Sequence, residues 1–129
     1  MTEQRTAWFD TLTVRDVPLV GGKNASLGEM VRTLKDKGVR VPDGFATTAA
    51  AFREYVAANG LEAELRGRIE ALKSGKASLH ETGEAIRRLF LYAEFPEPIA
   101  EAIKEAYREL SRRGEQREVS VAVRSSATA

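Results

Sequence analysis

The sequence predicts a mostly helical α+β fold with a few short strands. Apolar residues recur at helical spacing along much of the chain, and turn or capping residues separate the successive apolar stripes. Near the end, an alternation of valine with small residues replaces the helical period. The 129 residues are enough for one domain with a buried core, so we treat 1–129 as one domain-sized piece.

Composition excludes several classes of function. Twenty basic residues against nineteen acidic ones leave a net charge of +1, so no overall field recruits nucleic acid or an anionic membrane. The absence of cysteine excludes disulfides and thiolate metal sites and fits a reducing compartment. The first residues lack the apolar core of a signal peptide, and no apolar run approaches membrane-spanning length. We therefore predict a cytoplasmic protein without nucleic-acid or membrane partners.

The first third of the chain is predicted to hold a short strand, one helix and a turn. Trp8 opens the apolar pattern as a core anchor, and residues 11–14 alternate as in a strand or an extended lead-in. A helical stripe follows, formed by Leu27, Met30, Val31 and Leu34. Gly38 is a natural stop for that helix. Residues 39–44 should extend into a turn because Pro42 disfavours helix before it.

Four more helices are predicted from apolar stripes and their boundaries. They begin near Thr48, Leu61, Ser78 and Pro98. They end at Gly60, around Gly75, before Pro96 and at Gly114. Ser78 and Glu81 have the spacing of a capping box, and the last helix carries the cleanest apolar stripe. On the helix that begins near Thr48, Phe52, Tyr55 and Val56 are expected on one face.

The stretch over residues 20–30, with sequence VGGKNASLGEM, is the first candidate binding element. Its paired glycines allow a tight turn and a close approach to a ligand, and Lys23 follows directly. A helix is expected to begin here, with Ser26 and Glu29 spaced as a capping box. A helix start beside a lysine suits an anion such as phosphate. The alternative interpretation is a plain turn into a helix with a solvated lysine.

Other catalytic sites are not supported by the sequence. The stretch is not a P-loop, because Val17 and Asn24 occupy positions where that motif needs glycine and Ser or Thr. His80, the single histidine, falls on the polar face of its helix beside Glu84 and is predicted to be a surface residue. We therefore predict no catalytic residue and no metal ligand in this chain.

The second candidate element is the alternating stretch from residue 119 to 124. Its valines are predicted to face the core, while small residues on the other face leave room for a ligand. Arg124 ends this strand, and its guanidinium could fork onto an oxyanion. The alternative is an edge strand with an exposed arginine. Taken together, Lys23 and Arg124 predict a site for an anion or phosphate, without a specific reaction.

Three motifs in this order resemble the N-terminal nucleotide-binding region of the phosphoenolpyruvate synthase and pyruvate phosphate dikinase family. They are the stretches at residues 20–30, 41–48 and 121–129. The resemblance implies the N-terminal part of an ATP-grasp-like nucleotide-binding domain, with ATP held between two subdomains. Lys23 matches the family's Gly-Gly-Lys motif and Arg124 its Val-Arg-Ser motif, which implies that both contact the ATP phosphates. The doubled serine after Arg124 resembles the synthase branch more closely.

For the whole enzyme, the resemblance implies conversion of pyruvate, ATP and water into phosphoenolpyruvate, AMP and phosphate. The phosphoryl group would pass through a histidine on another domain, and His80 does not match that motif. The Mg²⁺ ligands and the contacts to pyruvate are expected outside this chain, which should be inactive alone and bind ATP weakly. Self-association at the truncated face is also expected. The alternatives are a dikinase fragment, a fragment like rifampicin phosphotransferase, or a non-enzymatic helical interaction module.

Overall fold

A computed structural model describes residues 4–128, and these are mostly helical with one small sheet, as the sequence predicts. The two strands are β1 (Thr6–Trp8) and β2 (Phe45–Thr47). The helices are α1 (Val17–Val20), α2 (Gly22–Lys35), α3 (Ala49–Ala58), α4 (Glu62–Lys73), α5 (Leu79–Tyr92) and α6 (Glu97–Arg113). Short 3₁₀ turns at Phe9–Thr11 and Val14–Asp16 lie between β1 and α1. The ATP-grasp-like arrangement of this fold stays a prediction.

The described residues group into two compact units. The first contains residues 4–52 and 97–128, and the second is Arg53–Pro96. Helix α3 begins in the first unit and ends in the second. No helix within residues 4–128 combines the length and the apolar character needed to cross a bilayer.

The core of the first unit lies between the small sheet and helix α2. Strands β1 and β2 pair antiparallel, with Ala7 opposite Ala46, and both alanines are buried. Leu12, Val20 and Ala25 complete the buried cluster. Helix α2 approaches the preceding 3₁₀ turn closely because Gly28 has no side chain, since a Cβ there would lie 2.8 Å from the Leu12 carbonyl oxygen. This contact fixes α2, and with it the glycine-lysine stretch, against the 3₁₀ turn that follows β1.

Helix α2 begins earlier than the sequence predicts. It starts at Gly22, so Ser26 lies exposed inside the helix and the expected capping box is wrong. The Glu29 carboxylate instead accepts the backbone N–H of Val14 at 3.1 Å and pairs with Arg32. The end of the helix is as predicted, because Gly38 adopts a φ of +77° that suits a helix stop.

The starts of α3 and α5 agree with local capping signals. The Ala51 N–H donates to the Thr48 hydroxyl at 3.1 Å at the start of α3. In the second unit, the Glu81 N–H donates to the Ser78 hydroxyl at 3.1 Å. Phe52, Tyr55 and Val56 lie within α3 at the spacing of one helix face, as predicted; Tyr55 is buried, whereas Phe52 is 56% exposed.

The predicted strand near the end of the chain is also wrong. Residues 119–128 form no strand with any residue from 4 to 128, and Val121 and Val123 are 50% and 91% exposed. An alternating valine face is buried only when a neighbouring strand or helix covers it, and no described element does so. The segment is anchored at Val119, whose carbonyl accepts the Tyr107 hydroxyl at 2.7 Å. Self-association through this segment stays a prediction.

The C-terminal end of α6 is tied to the sheet by Arg113. Its guanidinium lies 3.8 Å from the centroid of the Trp8 ring and donates to the Asp43 carboxylate at 2.9 Å. It also bonds to Glu109 on its own helix at 3.3 Å. The hydrogen bond that Arg113 donates to Asp43 is the main cause that raises the pKa of Arg113. Trp8, predicted as a core anchor, is half-buried beneath this contact.

We expect Arg113→Ala to destabilise the first unit, because it removes the cation–π contact and the ion pair with Asp43 together. The expected loss is about 1–2 kcal/mol in the free energy of unfolding, measured by urea denaturation. Arg112→Ala is the matched control, since the Arg112 guanidinium bonds only Glu109 among residues 4–128 and should cost about 0.5 kcal/mol or less. Equal losses in the two variants would contradict the anchoring role.

Candidate functional site

Gly21 forms the turn between α1 and α2 at the centre of the candidate site. Its φ of +86° and ψ of 162° lie in a backbone region that is essentially restricted to glycine. Its N–H donates to the Val17 carbonyl at 2.7 Å, which closes α1, and α2 begins at the next residue. Lys23 therefore follows a sharp, buried change in chain direction.

The C-terminal segment, residues 119–128, docks on the first turn of α2. The Gly22 N–H donates to the Ala127 carbonyl at 2.9 Å, and the Asn24 N–H donates to the Ser126 hydroxyl at 3.3 Å. A helix leaves its first amides without partners inside the helix, so each of these bonds satisfies an otherwise free donor. The caps of α2 thus come from residues about a hundred positions further along the chain, which explains why the helix starts before Ser26.

The docking is possible only because residue 21 is glycine. A Cβ on Gly21 would overlap the Ser126 hydroxyl and would lie 2.9 Å from the Ala127 nitrogen. The neighbouring Gly22 is different, since a Cβ there would meet nothing within 4 Å. The first glycine of the pair therefore serves both the turn and the docking. The second leaves open space beside Lys23.

The structure brings together the two segments that carry the candidate cations. Lys23 is exposed in the first turn of α2, and Arg124 is exposed two residues before Ser126. Neither side chain forms a hydrogen bond or an ion pair with residues 4–128. Their donors are therefore not used by the described part of the chain and could bind an oxyanion. The role of these residues in binding stays a prediction.

The backbone at the helix start is less available to an anion than the sequence suggests. The sequence interpretation relies on unpaired N–H groups there, but those of Gly22 and Asn24 are occupied by the C-terminal segment. These two amides are therefore not available to an oxyanion. Sequence analysis missed Ser126 and Ala127 as partners of the glycine pair, because no local spacing links them.

Other parts of the described chain offer no comparable constellation. One surface depression lies beside Trp8, Ala106 and Arg112, and another lies on α5 in the second unit; neither is lined by Lys23 or Arg124. His80 is exposed and lies 3.9 Å from Glu84, as predicted. Among residues 4–128, no three His, Asp or Glu side chains converge as metal ligands. We assign no step to a metal ion.

The family model and several similar relatives point to the same enzyme family. The family model described as pyruvate phosphate dikinase, AMP/ATP-binding domain, matches residues 17–129. Phosphoenolpyruvate synthase of Neisseria meningitidis is 45% identical over 100% of this chain and 16% of the relative. The synthase of Synechocystis is 48% identical over 95% of the chain and 16% of the relative. That of Escherichia coli is 41% identical over 95% of the chain and 15% of the relative. The chain thus spans about a sixth of these relatives.

We expect Gly21→Ala to destabilise the first unit and to release the C-terminal segment. Alanine at the positive φ of residue 21 should by itself lower the free energy of unfolding by about 1–3 kcal/mol, measured by urea denaturation. Amide hydrogen exchange should also become faster at Asn24, whose partner would be displaced. Gly22→Ala is the matched control, because its Cβ meets open space, and it should leave stability unchanged or raise it by up to about 1 kcal/mol. Similar destabilisation by both variants would contradict the docking model.

Proposed function

The chain belongs to the family of pyruvate phosphate dikinase AMP/ATP-binding domains, and from this premise we propose that it is the N-terminal ATP-binding part of a phosphoenolpyruvate synthase. In this proposal, residues 1–129 form the N-terminal subdomain of an ATP-grasp-like domain. Lys23 and Arg124 contact the phosphates of ATP. The relatives that cover nearly the whole chain at 41–48% identity carry the synthase name, which favours the synthase over the dikinase.

The observation that supports this site most directly is the docking of Ser126 and Ala127 on the start of α2. It joins the segment of Lys23 to the segment of Arg124 through two hydrogen bonds. Both cations are exposed and have no partner within residues 4–128. Phosphoryl transfer requires mainly positioning of the phosphates and neutralisation of their charge. A lysine and an arginine on neighbouring backbone segments can provide both.

For the full-length protein, we propose the reaction of pyruvate, ATP and water to give phosphoenolpyruvate, AMP and phosphate. The phosphoryl group would be carried by a histidine outside this chain, since His80 is an exposed residue on the helix α5 and does not match the family's motif. The magnesium ligands and the pyruvate contacts would also lie outside residues 1–129. On its own, the chain should have no turnover and should bind ATP weakly. The cytoplasmic location stays a prediction.

We expect Lys23→Ala and Arg124→Ala each to weaken ATP binding by the full-length protein. A hydrogen bond to a charged group contributes about 1.5–3 kcal/mol, so each dissociation constant should rise by about one to two decades. Isothermal titration with ATP and Mg²⁺ measures this change. Two other exposed cations serve as matched controls when replaced by alanine. They are Lys35, at the end of α2, and Arg117, in the loop after α6. Unchanged affinity and rate in both site variants would refute the assignment.

The proposed reaction makes a second prediction about products. We supply the full-length protein with pyruvate, ATP and Mg²⁺ in phosphate-free buffer. It should release one AMP and one phosphate for each phosphoenolpyruvate formed. Phosphorus NMR follows all of these species together. A requirement for added phosphate, with pyrophosphate as a product, would instead indicate dikinase activity. Formation of AMP with no dependence on pyruvate would contradict both assignments.

A further inference from the structure

The C-terminal segment is held to the rest of the described chain at two places. At one end, Val119 bonds to Tyr107 and to the Ser111 hydroxyl on α6. Beyond that point, within residues 120–128, only Ser126 and Ala127 form hydrogen bonds to residues 4–119. Residues 120–125, between these anchors, are exposed and belong to no helix or strand, so the hydrogen bonds at the two ends hold this part of the chain in place.

Arg124 depends on the second anchor for its position. Its own side chain has no partner within residues 4–128, so it contributes nothing to its own placement. Two residues of extended chain span at most about 7 Å, which keeps the Arg124 backbone close to Ser126 and therefore to the start of α2. If the contact at Ser126 is lost, Ala127 alone connects this part of the chain to α2.

Ser126 and its neighbour Ser125 differ in what their side chains do. Ser125 is exposed and forms no hydrogen bond with residues 4–128, whereas Ser126 is half-buried and accepts the Asn24 N–H. Asn24 is held from its other side as well, because its side-chain amide donates to the Val20 carbonyl at 2.9 Å. The donor is therefore fixed, and it presents a defined partner to the Ser126 hydroxyl.

We propose that Ser126 is a positioning residue for ATP binding. Its hydroxyl accepts the backbone N–H of Asn24 and thereby holds Arg124 beside Lys23, while Ser126 itself need not touch the nucleotide. This inference rests on the proposed function, because it assumes that Arg124 and Lys23 contact the same phosphate chain. It goes further by assigning a role to one serine of the doubled pair and none to the other.

The test compares ATP binding by variants of the full-length protein. Ser126→Ala should raise the dissociation constant about threefold to tenfold, the effect of losing one neutral hydrogen bond. Ser125→Ala should leave it unchanged. Because threonine and valine have nearly the same shape, Ser126→Thr should bind ATP more tightly than Ser126→Val. This second pair isolates the hydroxyl even if the alanine variant folds poorly.

If Ser126 served only as a structural cap on α2, Ser126→Ala would still lower the stability of the protein. A double-mutant cycle with Arg124→Ala separates this structural role from the positioning of Arg124. If Ser126 acts through Arg124, adding Ser126→Ala to Arg124→Ala should change the dissociation constant by less than about twofold. The proposal would be overturned if Ser126→Ala raised the dissociation constant by the same factor with Arg124 present and with Arg124→Ala. Wild-type affinity in Ser126→Ala, or equal affinity in Ser126→Thr and Ser126→Val, would also overturn it. Wild-type affinity in Arg124→Ala and Lys23→Ala would instead refute the proposed function itself.

Discussion

The contact between the C-terminal segment and the first turn of α2 is the constraint on which the candidate site depends. Two hydrogen bonds, from Gly22 to Ala127 and from Asn24 to Ser126, cap the helix and bring distant parts of the chain together. They require Gly21, because any side chain there would occupy the space of the docked segment. One glycine therefore controls the turn, the start of the helix and the docking of Ser126 and Ala127.

The rest of the first unit supports this contact by fixing its two sides. Helix α2 is held close to the sheet region through Gly28, which lets it pack directly on the turn around Leu12. Helix α6 carries the C-terminal segment, and Arg113 fastens the end of that helix to Trp8 and Asp43. Helices α2 and α6 are both held in place by packing and hydrogen bonds. Residues 120–125 connect them and form no hydrogen bonds to residues 4–119.

The electrostatics of the candidate site are local. With twenty basic and nineteen acidic residues, the chain has no strong overall field, and many charges are paired along exposed helix faces. Such exposed pairs contribute little to stability or to long-range attraction. Lys23 and Arg124 differ because no described carboxylate neutralises them. In the function that we propose, recognition of a phosphate depends on these two side chains at short range.

The sequence by itself determined the helical content, the capped starts at Thr48 and Ser78, and the two candidate cations. These features depend on local spacing or on a motif, and local signals survive in the fold. It gave the wrong start for α2 and a false buried valine face, because the partners that decide both lie far along the chain. Only the tertiary structure paired Ser126 with Asn24, which are 102 positions apart, since no periodicity or capping rule extends over such a distance.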